Sequence, residues 1–330
     1  MKPKRIVVTL LIIAAIVAAV WLAGRTKTAK PVETKTVAIA TLMSHPALDA
    51  VQENLKKELA KEGYIEGQNI RYLVRNASGQ VQLAANIASE LASQNADAVV
   101  AITTPMAQAV AKAARCPVVF AAVTDPVGAG LVKSLDHGEE NITGTSDAWP
   151  YEDQLKLIRQ ISPNAKRLGV LYNPGEAASQ YGIKEIKKFA PALGFEIIEG
   201  AVSSTTDVYP VAHNLAGRTD ALFLSSDNTV IAGVASAIKV AVERKMPLYV
   251  GDSGTVEKGG LAAVSVGYAE LGTKTGVIVG RVLKGEKNIP TVVAHGDEIY
   301  LNKKAAELMG VTLPEEVLKR ATKVYEEIKE

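Results

Sequence analysis

From Val37 onward, short apolar runs alternate with stretches whose apolar residues recur every three or four positions, and this alternation constrains the fold most. The runs are Val37 to Leu42, Ile70 to Val74, Ala98 to Thr103, Val118 to Val123, Leu168 to Tyr172, Phe195 to Glu199, Ala221 to Leu224, Leu248 to Gly251 and Ala262 to Val266. Between them, Leu48, Val51, Leu55 and Leu59 make one helical stripe that Gly63 can end. Leu83, Ile87 and Leu91 repeat it over Val81 to Gln94, and Leu155, Ile158 and Ile161 over Tyr151 to Ile161. Buried strands alternating with amphipathic helices predict an α/β protein with parallel sheets covered on both faces. The series pauses over Asn141 to Pro150 and then resumes, which predicts two doubly wound, Rossmann-like lobes. The expected lobe 1 is 37–147 plus about 268–290, and lobe 2 is 148–267 plus about 291–330, with crossings near Gly267 and Pro290 and final helices from Asn302 and Pro314.

The N-terminus reads differently. Lys2, Lys4 and Arg5 precede an apolar run from Ile6 to Ala23, so 1–25 is expected to form a hydrophobic helix serving as export signal or membrane anchor. Trp21 and Leu22 fit poorly before a cleavage site, which favours an uncleaved anchor to the cytoplasmic membrane, and residues 26–36 read as a spacer. The folded part is then periplasmic or on the cell surface. The lone Cys116 can form no internal disulfide and cannot be a lipid-modified N-terminus.

Composition excludes several functions. Lys and Arg total 37 against 35 acidic residues, and they are spread along the chain, so no nucleic-acid footprint exists. The four histidines, His45, His137, His213 and His295, are too far apart to suggest a metal site. Asp125 to Gly130 lacks a G-x-G-x-x-G run and no P-loop occurs, so no cofactor is expected. No nucleophile-and-base pattern supports an enzyme.

What remains are polar loops placed just after the strand-like runs, where open α/β sheets bind ligands. Thr103-Thr104-Pro105 opens the helix Met106 to Ala114, with Thr104 as the expected N-cap, and Ser44-His45-Pro46 stands in the equivalent place after the first strand. Helix starts and hydroxyls suit a carboxylate. In the second series Glu176, Asp227 and Asp252 follow three different strands and could accept from an ammonium, or could simply cap helices. Donors on one lobe facing acids on the other would suit a zwitterion such as an amino acid. The candidate ligand-binding residues are Ser44, His45, Thr103, Thr104, Thr124, Asp125, Asn173, Glu176, Ser179, Asp227, Asn228 and Asp252, with Trp149, Tyr181 and Tyr268 available to stack on an aromatic ligand.

Thr103-Thr104-Pro105, Val123 to Gly128, Tyr172 to Glu176, Asp227 to Val230 and Gly251 to Gly259 together resemble the tryptophan/tyrosine-type substrate-binding proteins of ABC transporters. The resemblance implies a type I periplasmic binding fold whose lobes, joined by a multi-strand hinge, close on an amino acid or similar small-molecule solute. Its implied partners are an ABC permease and its cytoplasmic ATPase. Ala178 and Gly267-Tyr268-Ala269 depart from the family pattern at positions that could line the cleft. A membrane-tethered sensor using the same fold is the alternative function.

Overall fold

The computed structural model describes residues 34–329 together with 14 and 15. Most of the expected N-terminal helix and most of the spacer lie outside the described residues. The spacer ends earlier than expected, because Lys35 and Thr36 already belong to the first strand. Among the described residues no helix is long and apolar enough to cross a membrane.

The strands in chain order are β1 Lys35–Thr41, β2 Ile70–Asn76, β3 Ala98–Ile102, β4 Val118–Ala121, β5 Ile142–Ser146, β6 Arg167–Tyr172, β7 Glu196–Ala201, β8 Ala221–Leu224, β9 Leu248–Tyr249, β10 Ala262–Val266, β11 Val292–Val293, β12 Gly296–Asn302 and β13 Lys323–Tyr325. They form two sheets, ordered β2-β1-β3-β4-β5-β11 and β7-β6-β8-β9-β10-β12-β13. Every pairing is parallel except β10 with β12. Each sheet begins 2-1-3-4-5 in its own count, the doubly wound order whose switch point lies between the first and third strands.

Strand β1 shows why the sheets are covered on both faces. Val37 and Ile39 pack with Val51, Leu55 and Leu59, whereas the alternate residues Ala38 and Ala40 pack on the other side with Ile87 and Leu91. Apolar residues at both parities, at side-chain period two, bury both faces.

The expected pause at Asn141 to Pro150 contains β5, which pairs with β4. Its sequence, Ile-Thr-Gly-Thr-Ser, carries little apolar signal, yet Thr145 and Ser146 are buried. The chain then passes to the second sheet and returns through helix Tyr268–Leu283. Three glycines let that helix lie against Pro46–Lys61: a Cβ would stand 2.5 Å from the Val51 carbonyl oxygen at Gly272, and 2.8 Å from that of Leu55 at Gly276. At Gly280 it would run into the Glu62 carboxylate. The last crossing falls later than Pro290, because Val292–Val293 still pairs with β5 in the first sheet. The final helices begin where expected, at Lys303 after Asn302 and at Glu315 after Pro314.

Candidate functional site

The loops at the carboxyl ends of the strands converge on one cavity of about 50 Å³ between the two sheets. The first lobe contributes His45 after β1, Thr103 and Thr104 after β3, Ala122 and Thr124 after β4, and Asp147 after β5. The second contributes Ser226 and Asp227 after β8 and Asp252 after β9, while Trp149 and Tyr268 flank two chain crossings. Two hydrogen bonds join the lobes here. The hydroxyls of Thr124 and Ser226 are 2.8 Å apart, and His45 Nε2 lies 3.3 Å from Thr255 Oγ1.

His45 is buried, and desolvation lowers its pKa despite nearby Asp252. Its Nδ1 accepts from the Ala47 N–H at 3.4 Å, so the neutral ring carries its proton on Nε2 and donates toward Thr255. Thr255 in turn donates to Asp252 at 2.6 Å. Gly254 makes this approach feasible, since a Cβ there would stand 2.6 Å from His45 Cε1.

Backbone strain collects at the same place. Thr103 has φ +88° and Ala122 has φ +50°, at the ends of neighbouring strands β3 and β4. A β-branched residue at positive φ is held there only by strong surrounding constraints. Thr103 is 3% exposed, and among the described residues its Oγ1 is, of five buried side-chain polar atoms without a hydrogen-bond partner, the one belonging to a residue that lines the cavity. Helix Thr104–Ala113 starts beside it, with Thr103 rather than the expected Thr104 at the cap. The first helical bond is from Ala107 N–H to the Thr103 carbonyl, which leaves the N–H groups of Thr104 and Met106 outside the ladder. An unpaired hydroxyl and a helix start therefore share one wall.

A relay ending on Asp147 lines the cavity as well. Trp149 Nε1–H donates to the Tyr268 hydroxyl at 3.2 Å, Tyr268 donates to Asp147 Oδ2 at 2.9 Å, and Thr124 donates to Asp147 Oδ1 at 3.2 Å. Burial pushes the Asp147 carboxyl up to about 6 and the Tyr268 hydroxyl well above the usual phenol range. Trp149 is seated on Gly251, where any side chain would collide with its ring.

The sequence candidates divide. His45, Thr103, Thr104, Thr124, Asp227, Asn228 and Asp252 line the cavity, whereas Ser44, Asp125, Asn173, Glu176 and Ser179 do not. Ser44 donates to Asp49 and borders a larger outer groove of about 670 Å³ that adjoins the cavity at Met43, His45 and Ile231. Asp125 closes its own turn by accepting from Gly128 N–H. Glu176 accepts from the backbone and side chains of both Asn228 and Thr229, fixing the start of helix Asn228–Ala232. Asp227 caps that helix through Val230 N–H and also accepts from Ser179 Oγ and Asn173 N–H. Asp252 caps Ser253–Glu257. All three acids expected to face an ammonium thus hold helix starts. Trp149 and Tyr268 line the cavity, but Tyr181 packs behind Tyr151, 6.4 Å between ring centres. Asp147, Ser226 and Ala122 were missed; recognising β5 would have put Asp147 at a strand end. Among the described residues no His, Cys, Asp and Glu group could hold a metal.

The profile of a family described as ABC transporter substrate binding protein matches residues 36–325. The chain belongs to that family. The tyrosine-binding protein of Clostridioides difficile is 35% identical to this substrate-binding protein over 271 residues, covering 81% of this chain and 79% of that one. A crystal structure from Streptococcus pneumonia in complex with L-Trp shares 35% identity and superposes with a TM-score of 0.85, covering 88% of this chain and all of that one. The ligand-free, open structure of a Clostridium difficile substrate-binding protein, 34% identical and covering 90% of this chain and all of that one, superposes less well, at 0.68. The type I fold is shared, and two hydrogen bonds join its two halves across the cavity. Proteins of this family bind a small molecule outside the cytoplasm and are not enzymes.

Proposed function

We propose that this substrate-binding protein captures an amino acid in the cavity between its lobes and presents it to an ABC permease driven by a cytoplasmic ATPase. The observation that carries the ligand class is Thr103: a buried, unpartnered hydroxyl held at positive φ beside the free N–H groups of a helix start. A carboxylate satisfies all of these donors and the helix dipole at once. Trp149 and Tyr268 supply aromatic walls, and the L-Trp and tyrosine named for two relatives fit such walls. The lobe boundaries expected from the sequence support closure by rotation about the crossings that flank Trp149 and Tyr268. The apolar segment from Ile6 to Ala23 would tether the protein to the membrane.

The test is a thermal-shift screen of the standard amino acids against the full chain, followed by calorimetry. A ligand at a hundredfold excess over its Kd adds about 2.7 kcal/mol to stability, which the shift resolves. Wild-type protein stabilised by sugars or inorganic ions but by no amino acid would overturn the reading.

A further inference from the structure

Resting on the amino-acid reading, we propose that Asp147, packed among Trp149, Tyr268 and Thr124, is the residue that receives the ligand's ammonium group. Of the three acids lining the cavity, Asp227 and Asp252 are committed to helix starts: Asp227 accepts three hydrogen bonds and Asp252 holds both the N–H and the hydroxyl of Thr255. Asp147 caps nothing. From other residues it accepts the hydroxyls of Thr124 and Tyr268, its own backbone N–H adds a third donor, and one of its about four lone-pair directions stays open. Among the described residues no Lys or Arg forms an ion pair with Asp147, and the charge that acts on it, Asp252, is of the same sign. A carboxylate 4% exposed without a cationic partner is unfavourable, and a cation delivered by the ligand removes that penalty.

The donors are arranged for an ionised acceptor. Trp149 N–H can only donate, so Tyr268 must accept from it and turn its own proton to Asp147; Thr124, donating to Asp147, must accept from Ser226. Both aromatic rings border the same space and can face a cation. The spacing also agrees. Asp147 follows β5 and Thr103 follows β3, with β4 between them, two strand spacings or roughly 9–10 Å. A carboxylate and an ammonium on one carbon, each with a hydrogen bond of about 2.8 Å, span roughly 8–9 Å. The unpaired Thr103 hydroxyl, buried in the same cavity, independently marks the other end of that ligand.

The assignment is tested by calorimetry on the full chain with L-tryptophan and L-tyrosine and with their desamino analogues, indole-3-propionate and 3-(4-hydroxyphenyl)propionate. Asp147→Asn is expected to weaken the amino acids about 10–100-fold while leaving the desamino acids within about threefold, as loss of a charged hydrogen bond requires. If that variant folds poorly, the wild type alone decides. Lowering the pH from about 7.5 to about 5 should weaken the amino acids relative to their desamino analogues, because neutralising Asp147 removes only the ammonium partner. The titratable groups facing Asp147 are Tyr268, Tyr151 and Asp252, with His45 behind Asp252. Equal effects on both ligand classes, or none on either, overturn the assignment. A wild type that binds neither of these, nor any other amino acid of the thermal-shift screen, instead overturns the functional reading, and the assignment with it.

Discussion

Adding one methyl group at Gly251 tests how the cavity wall is built. Its Cβ would stand 1.9 Å from both Cε3 and Cζ3 of Trp149, whereas carbon atoms settle at about 3.5–4 Å. Trp149 would have to retreat by more than an ångström, yet it is 7% exposed, tied to Tyr268 through Nε1 and packed against Tyr151 at 6.2 Å between ring centres. The Gly251 backbone cannot readily yield, since its carbonyl accepts from Gln154 in the interior. Overpacking of this kind costs about 1–3 kcal/mol, so Gly251→Ala should lower Tm by roughly 2–6 °C at about 2 °C per kcal/mol for a chain of this size. Ligand affinity should fall as well, because displacing Trp149 displaces Tyr268 and the Asp147 carboxylate behind it. The decisive arm is the Trp149→Ala background. Gly251 is not in the left-handed region, so without the ring the same methyl should stabilise by about 0.4–1 kcal/mol through the unfolded chain. Urea denaturation of the four proteins in this cycle reads the reversal of sign. Equal and destabilising effects of Gly251→Ala in both backgrounds would refute the packing argument.

Thr124→Val and Ser226→Ala each remove the 2.8 Å bond between lobes, which should weaken the closed state by about 0.5–1.5 kcal/mol and raise the radius of gyration in small-angle scattering. The double variant should add little to either single one, and an unchanged radius in both singles would show that this bond does not hold closure. Stability should also carry a signature of Asp147, whose carboxyl stands at about 6 in the folded protein against an ordinary 3.8. Between those values the folded state binds more protons than the unfolded one. Stability from this group therefore falls as pH rises through that window and stays lower above it, by on the order of 3 kcal/mol. Subtracting the pH profile of Asp147→Asn from that of the wild type should expose that fall, and parallel profiles would refute it.

Most of the fold was legible because a doubly wound sheet imposes its own pattern. All nine apolar runs contain strands, and in the inner ones the reason is that a strand covered on both faces needs apolar residues at both parities, as Val37, Ala38, Ile39 and Ala40 show in β1. The strands that escaped are those without that need. β5 is Ile-Thr-Gly-Thr-Ser and satisfies its buried hydroxyls through Thr143 to the Ile289 carbonyl, Thr145 to Thr275, and Ser146 to the Thr124 carbonyl. Those partners are far off in sequence, so no local signal announces them. The packing of helix Tyr268–Leu283 on Pro46–Lys61 did have a signal, glycines at 272, 276 and 280, but only the partner backbone reveals their purpose.

The site was half legible for a related reason. Sequence position puts His45, Thr103, Thr124, Asp227 and Asp252 at strand ends, and topology brings these residues to one cavity. Sequence type does not say whether an acid there serves the ligand or the loop. Asp227 and Asp252 precede helices, and a carboxylate before a helix has N–H groups of its own chain within reach, which bind it before any ligand can. Asp147 follows a strand and is separated by Pro150 from helix Tyr151–Ile161, so no local N–H group of a helix start claims it. Its partners come instead from Thr124 and Tyr268, 23 and 121 positions away. On the proposed assignment, the acid left free for the ligand is the one that local structure has no use for.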